Sequence, residues 1–350
     1  MSDFIQFHML TFYGPSNLNR DDLGRPKTAR IGNSERLRIS SQSLKRAWRT
    51  SDLFEEVSKG YQGTRTKLLG VRVYEKMLAS GINSKTAKKR AQEIAKQFGK
   101  LKGSKKEKPL NDLEIEQLVH ICPAEWENTM SLVDTLIEED REPNEDELKL
   151  LRKDINAIDV ALFGRMLADV PYYNIEAAAQ VSHAFTVHGT VVEDDYFTAV
   201  DDLNTREEDA GSAHIGEFGF GSGLFYTYMC INKDLLVHNL KEDSLINKAL
   251  TGFISAATQI APTGKQNSFA SRARASYVLA EKGKQQPRQL SSAFIKPVSG
   301  THLLKNTIKE LERVQQNMDA VYGACADERY VLNVDEQKGS LDELINFVRS

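Results

Sequence analysis

Two regions of strand-like alternation bracket a long helical interval, and that order constrains the fold more than any other feature of the chain. In residues 4–12, Phe4, Gln6, His8 and Leu10 alternate with Ile5, Phe7, Met9 and Thr11, which predicts a buried first strand. The β pattern returns at 181–190 and again at 223–232, where Leu224, Tyr226, Tyr228 and Cys230 oppose Phe225, Thr227, Met229 and Ile231. Between them, 57–174 is mostly helical in period, with breaks at 99–109 and at Glu142-Pro143-Asn144. Further helical patterns cover 243–257, 303–322 and 341–349. The stretch 191–222 is too long for a simple turn and reads as an excursion from the sheet. An α+β core split by a helical insertion satisfies this order.

Several function classes drop out on composition. No apolar run is long enough to span a bilayer, so no membrane partner is expected. Residues 4–12 are a short run, interrupted by Gln6 and His8 and not preceded by bases, so they read as a strand rather than a signal peptide. Cys122, Cys230 and Cys325 lie far apart, which argues against a disulfide framework or zinc ribbon and suits a reducing cytoplasm. The formal net charge of -3 hides opposed blocks. Residues 20–49 carry nine bases and three acids, 83–108 ten and two, and 263–305 eight and one. Against them, 125–147 carries ten acids and one base, and 193–209 eight and one. Basic blocks suit a polyanion, and acidic blocks suit the basic surface of another copy. Any one block also fits a solvated helical face.

The densest local signal follows the first strand. Ser40 or Ser41 is a good N-cap before a helix, leaving backbone N–H groups open. At 100° per residue Gln42, Lys45, Arg46 and Arg49 share one side, while Leu44, Ala47 and Trp48 share the other and can bury. Hydroxyls, open amides and three cations in two turns match what a ribose-phosphate backbone needs, although an amphipathic surface helix shows the same spacing. Asn19 and Arg20 lie in the preceding basic loop and suit a backbone or base-edge contact. Asp21 and Asp22 beside them offer a metal ligand or general base, or simply a turn. Tyr196 and Phe197 sit among acids in the long excursion, as a stacking wedge or as side chains folded onto the core. Gly216, Gly219, Gly221 and Gly223 lead into a strand, so they are no nucleotide-binding fingerprint. Lys265, in Pro262-Thr-Gly-Lys-Gln-Asn-Ser-Phe269, suits a phosphate-facing loop or a surface turn. No catalytic triad, metal motif or cofactor motif is present, and His8, His183 and His188 read as sheet histidines.

Taken in order, Asn17-Leu-Asn-Arg-Asp-Asp22, Arg38-Ile-Ser-Ser-Gln-Ser-Leu-Lys-Arg46, Gly164-Arg-Met166, Phe197-Thr-Ala-Val-Asp-Asp-Leu203 and Gly211-Ser-Ala-His214 resemble the CasC, or Cas seven, family of backbone subunits of type I-E CRISPR Cascade. The resemblance runs from Phe4 to the region of Val298 and is faint between Tyr61 and Asp154. It implies a modified RRM-like (ferredoxin-like) palm at 1–58 and 182–350, a helical fingers insertion at 59–181, and a long β-hairpin thumb at 191–222. It implies a non-enzymatic, cytoplasmic, cofactor-free scaffold whose copies form a helical filament along the crRNA spacer and present its bases to target DNA, with other Cascade subunits as partners. It carries RNA-binding roles onto Asn19, Arg20, Ser40, Gln42, Lys45, Arg46, Arg49, Met166, Tyr196, Phe197 and Lys265. Arg49 stands where the family has Lys, and Tyr196 where it has Trp. Two other classes stay open. One is a backbone-type ribonuclease using Asp21 or Asp22 on target RNA, and the other a crRNA-processing endoribonuclease with His214 as its acid/base.

Overall fold

The computed structural model describes residues 3–199 and 214–350. Its strands are β1 (Phe4–Ser16), β2 (Thr28–Ile31), β3 (Ser34–Ile39), β4 (Thr64–Thr66), β5 (Val119–Ile121), β6 (Ala179–Val181), β7 (Ala184–Thr186), β8 (Glu193–Ala199), β9 (His214–Asn232), β10 (Tyr277–Gly283) and β11 (Glu328–Asn333). A nine-stranded sheet runs β11-β10-β1-β9-β7-β3-β2, with β6 and β8 also paired to β9, while β4 and β5 form a separate ladder. The chain divides into two compact units, the first from 1–54, 180–231 and 253–350 and the second from 55–179 and 232–252. Among the described residues, no helix is long and apolar enough to cross a membrane.

In the first unit β1 sits between β10 and β9, in register Phe4↔Gly283 to Leu10↔Tyr277 with β10. Both of its faces are buried. Leu10, Leu224, Tyr226, Tyr228 and Leu279 form one layer with Leu290, Phe294 and Leu311, against which Leu304, Ile308 and Met318 of the helix Leu303–Tyr322 pack. Ile5, Phe7, Met9, Phe225, Met229 and Ile231 are buried on the opposite face. Hydrophobic area on that scale, worth roughly 25 cal/mol per Å², is what orders a sheet this wide. Cys122, Cys230 and Cys325 are all buried free thiols, and burial pushes the Cys230 thiol up to about 11.

One buried polar network crosses the sheet. The Tyr226 hydroxyl accepts from Leu290 N (3.1 Å) and pairs with His8 Nδ1 (2.9 Å), so His8 Nε2 carries the proton given to Glu281 (3.2 Å). Arg288 and Arg329 close around the same carboxylate and both reach Asp319. Burial holds His8 below its ordinary 6.5. Burial alone would raise Glu281, but hydrogen bonds from His8 and Arg288 prevail and hold it well below its ordinary 4.5. Both groups are depressed, so each stabilises above its unfolded pKa and the contribution is lost as pH falls. Stability therefore declines first below about pH 6.5, through His8, and again below about 4.5, through Glu281. His8→Gln should flatten the first decline and leave the second, as read from urea unfolding midpoints across pH. A variant with the unaltered two-step profile would remove His8 from this role.

The second unit packs helices Leu69–Ala79, Ser84–Ala95 and Pro123–Glu138 over a core that includes Val73, Met77, Ala91, Ile94, Val133 and Leu136. It is less helical than its periodicity predicts. Residues 99–121 hold a 3-10 turn and β5, and 139–157 hold no α-helix. Buried in this unit, Arg165 pairs through Nη1 with both oxygens of Glu125 (2.9 and 2.7 Å). Its other nitrogens bond the carbonyls of Arg152 and Tyr173.

Several predicted elements change shape. The strand expected over 181–190 is split and short: β6 ends at Val181 and β7 covers only Ala184–Thr186, with Ser182 between them, its Oγ accepting from Tyr228 N (3.0 Å) in place of a backbone carbonyl. The presumed basic loop over 20–39 contains the β2–β3 hairpin, turned at Gly32 (φ 59). The long excursion leaves as β8 and returns as β9, from Glu193↔Phe220 to Ala199↔His214.

Candidate nucleic-acid interface

The site grows from the end of β1. Asn17 is fully buried, and its Nδ2 donates to the carbonyls of Gly24 (3.0 Å) and Gly219 (2.8 Å), anchoring the following loop on β9. Within that loop Lys27 N bonds Asn19 O (2.8 Å), and Asp21 Oδ1 accepts from Leu23 N and Arg25 N (both 2.9 Å). Asp21 is thus spent on an Asx-type turn. Asn19 reaches across to helix α1 (Ser41–Arg49), where its Oδ1 accepts from Ser40 N (2.8 Å). Ser40 is the N-cap, its Oγ accepting from Ser43 N (3.3 Å). Loop and helix entrance are therefore one rigid piece, fixed by Asn17, Asn19 and Ser40.

Helix α1 buries Leu44, Ala47 and Trp48, and the Trp48 ring meets Phe253 edge-on at 5.7 Å. That orientation exposes Gln42 and Arg46 and leaves Lys45 and Arg49 half-buried. Among the described residues, no carboxylate pairs with Arg20, Lys45 or Arg46. Burial lowers the Lys45 ammonium pKa, so an anion seated against it would relieve a desolvated charge. Arg20 and Arg46 line a cleft of about 480 Å³ with Asn19, Ser43, Thr50, Thr263 and Gly264, and the carboxylates Asp21 and Asp22 stand in the same lining. Gly264 is required for close approach, since a Cβ there would stand 2.4 Å from Leu18 O and 2.7 Å from Asn17 O. Gly264→Ala should therefore destabilise the protein by about 1–3 kcal/mol through overpacking, measured by denaturant unfolding. An unchanged midpoint would mean that the loop moves aside at no cost.

The other candidates lie apart from this cleft. Lys265, in a left-handed conformation (φ 50), points its ammonium over the Phe218 ring at 4.5 Å. Phe218 also meets Phe197 (5.4 Å) and Phe269 (5.6 Å), so Lys265 joins the base of the β8–β9 hairpin rather than the α1 face. Tyr196 is 64% exposed and Phe197 39%. Adjacent residues on a strand face opposite ways, and Phe197 lies over Gly216, where a Cβ would stand 2.3 Å from the ring. The two aromatics thus form no common wedge within the described strand. Asp194 pairs with Arg25 of the same chain (2.8 Å), and Asp201 and Asp202 lie outside the described residues. Met166 belongs to the second unit and is 76% exposed. His214 begins β9. Among the described residues, no cluster of His, Cys, Asp and Glu is placed to hold a metal.

Two cationic features escape sequence reasoning. Arg38 Nη1 lies 2.7 Å from His183 Nδ1, and burial, Arg38 and Lys27 all lower the His183 pKa. Arg272 and Arg274 line a second cavity, beside the first, with no signal in the sequence beyond the general charge of their block.

By fold, the chain is similar to subunits of CRISPR surveillance assemblies. Over 99% of both chains it superposes on one from a structure described as a CRISPR RNA-guided surveillance complex, pre-nicking, with a TM-score of 0.84 and 28% identity. A second, from a CRISPR RNA-guided surveillance complex, matches over 99% of both chains with a TM-score of 0.74 and 23% identity, and speaks to fold alone. The chain belongs to the CT1975-like protein family, which it matches over residues 5–346, and the recognition drawn from its motifs as a Cas seven backbone subunit stands. Comparison with curated proteins gives no match.

Proposed function

We propose that this chain is a non-catalytic crRNA-binding scaffold subunit of a type I-E Cascade complex, repeated along the guide so that its bases stay open for pairing with target DNA. The observation that carries this reading is the α1 entrance, where Lys45, Arg46 and Arg20 stand without carboxylate partners beside open helix-start amides. Such groups grip phosphate and ribose and carry no sequence information, so one surface serves any spacer. Specificity then rests with base pairing, as in other RNA-guided effectors. The Asx-type turn occupies Asp21, one of the two carboxylates open to the ribonuclease alternative, while Asp22 lines the same cleft. On this reading the sheet unit is the palm, the β8–β9 hairpin is the thumb, and Met166 in the helical insertion buttresses stacked bases. Successive copies meet head to tail, a heterologous contact that does not close.

Purification of the chain with its bound nucleic acid, followed by sequencing, tests the reading. Repeat-spacer transcripts are expected, with an absorbance ratio typical of ribonucleoprotein. A nucleic-acid-free monomer from cells expressing a CRISPR array would overturn it.

A further inference from the structure

The second cavity, about 690 Å³, is lined by Thr50, Asp52, Gln259, Thr263, Gln266, Arg272 and Arg274. It shares Ala47, Thr50 and Thr263 with the cleft that holds Arg20 and Arg46, so the two depressions are contiguous across one threonine pair. Residues 270–276 contain no helix, and Arg272 and Arg274, two apart in this segment, are both exposed. Among the described residues neither arginine has a carboxylate partner. Gln266 Oε1 accepts from Ser271 Oγ (3.4 Å), whereas its buried Nε2 has no acceptor. The segment that sets these groups is held in an uncommon backbone shape, with non-glycine left-handed residues at Lys265 (φ 50) and Ala270 (φ 47) on either side of the turn Gln266–Phe269. Strained backbone of this kind concentrates at ligand clamps. Asp52 is the one carboxylate in the lining, an acceptor suited to a ribose hydroxyl and unsuited to a second phosphate.

We propose that this cavity is a second RNA-backbone subsite. Arg272 and Arg274 hold one phosphate, the orphan Gln266 amide turns to the same anion, and Asp52 accepts from the neighbouring 2′-hydroxyl. The inference rests on the nucleic-acid reading above and extends it, because it gives the strand a path from the α1 cleft over Thr50 and Thr263. One phosphate neutralised on a single strand contributes roughly 0.7 to the slope of log affinity against log salt.

The test uses the full chain and a fluorescein-labelled single-stranded RNA, with affinity measured by anisotropy from low to high salt. The variant R272Q/R274Q should lower the slope by about 0.7 and weaken binding roughly tenfold or more, with its circular dichroism and unfolding midpoint unchanged. Asp52→Asn should narrow the preference for RNA over DNA of the same sequence. Wild-type slope and affinity in R272Q/R274Q would overturn the subsite and leave the α1 reading intact. Unchanged RNA binding together with altered self-association would assign the arginines to a copy-to-copy contact, which also overturns it. A wild-type chain that binds no RNA overturns both readings.

Discussion

Charge reversal of Lys45, Arg46 and Arg49 to Glu should abolish retention of guide RNA at physiological salt. Each side chain is assigned one phosphate, and a hydrogen bond to a charged group is worth about 1.5–3 kcal/mol. Allowing for the exposure of Arg46, the three together should cost on the order of 10²–10³-fold in affinity. The salt slope should also fall by about 2, at roughly 0.7 per single-strand contact. Leu44, Ala47 and Trp48 hold the helix from its other face, so the variant should fold. RNA retained at the wild-type level, with a wild-type salt slope, would show that the strand does not lie on α1.

The second large effect concerns stability and lies in the other unit. Arg165→Met removes the partner of a fully buried Glu125 and strips donors from the carbonyls of Arg152 and Tyr173. Cys122 N and Arg152 N still donate to the Glu125 carboxylate (both 2.9 Å), but a buried charge that has lost its ionic partner costs about 3–5 kcal/mol. Because a buried ion pair returns little more than its desolvation, Glu125→Leu combined with Arg165→Met should be less damaging than Arg165→Met alone. Urea titration of the two variants measures the difference. A loss below about 1 kcal/mol in the single variant would mean that the Cys122 and Arg152 N–H groups suffice to hold the carboxylate.

How far these features could be read in advance depended on whether their causes are local. The α1 entrance was legible because an N-cap serine and a period of 3.6 are set by neighbours in sequence. The helices at 303–322 and 341–349 were legible for the same reason. β10 was not, because burial on both faces removes the alternation that marks a strand, and Glu281 interrupts its apolar run. The β2–β3 hairpin was masked by its charge, since Arg36 is buried against the carbonyls of Thr186 and Phe294, residues remote in sequence. The glycines of β9 read in the sequence as leading into a strand, but the side chains they admit, Phe197 at Gly216 and Leu37 at Gly221, come from other strands. Asn17, Gly264, Arg272 and Arg274 make the site through apposition in space, which no spacing encodes.

The three buried thiols have a practical consequence. A chain whose native cysteines are all shielded in its interior offers almost no background to maleimide chemistry. One cysteine introduced at an exposed position, such as Tyr196→Cys on the hairpin or Met166→Cys in the other unit, would carry a single spin label or fluorophore. A doubly labelled chain would then report the separation of those two points, with and without bound nucleic acid, without first stripping any natural residue from the protein.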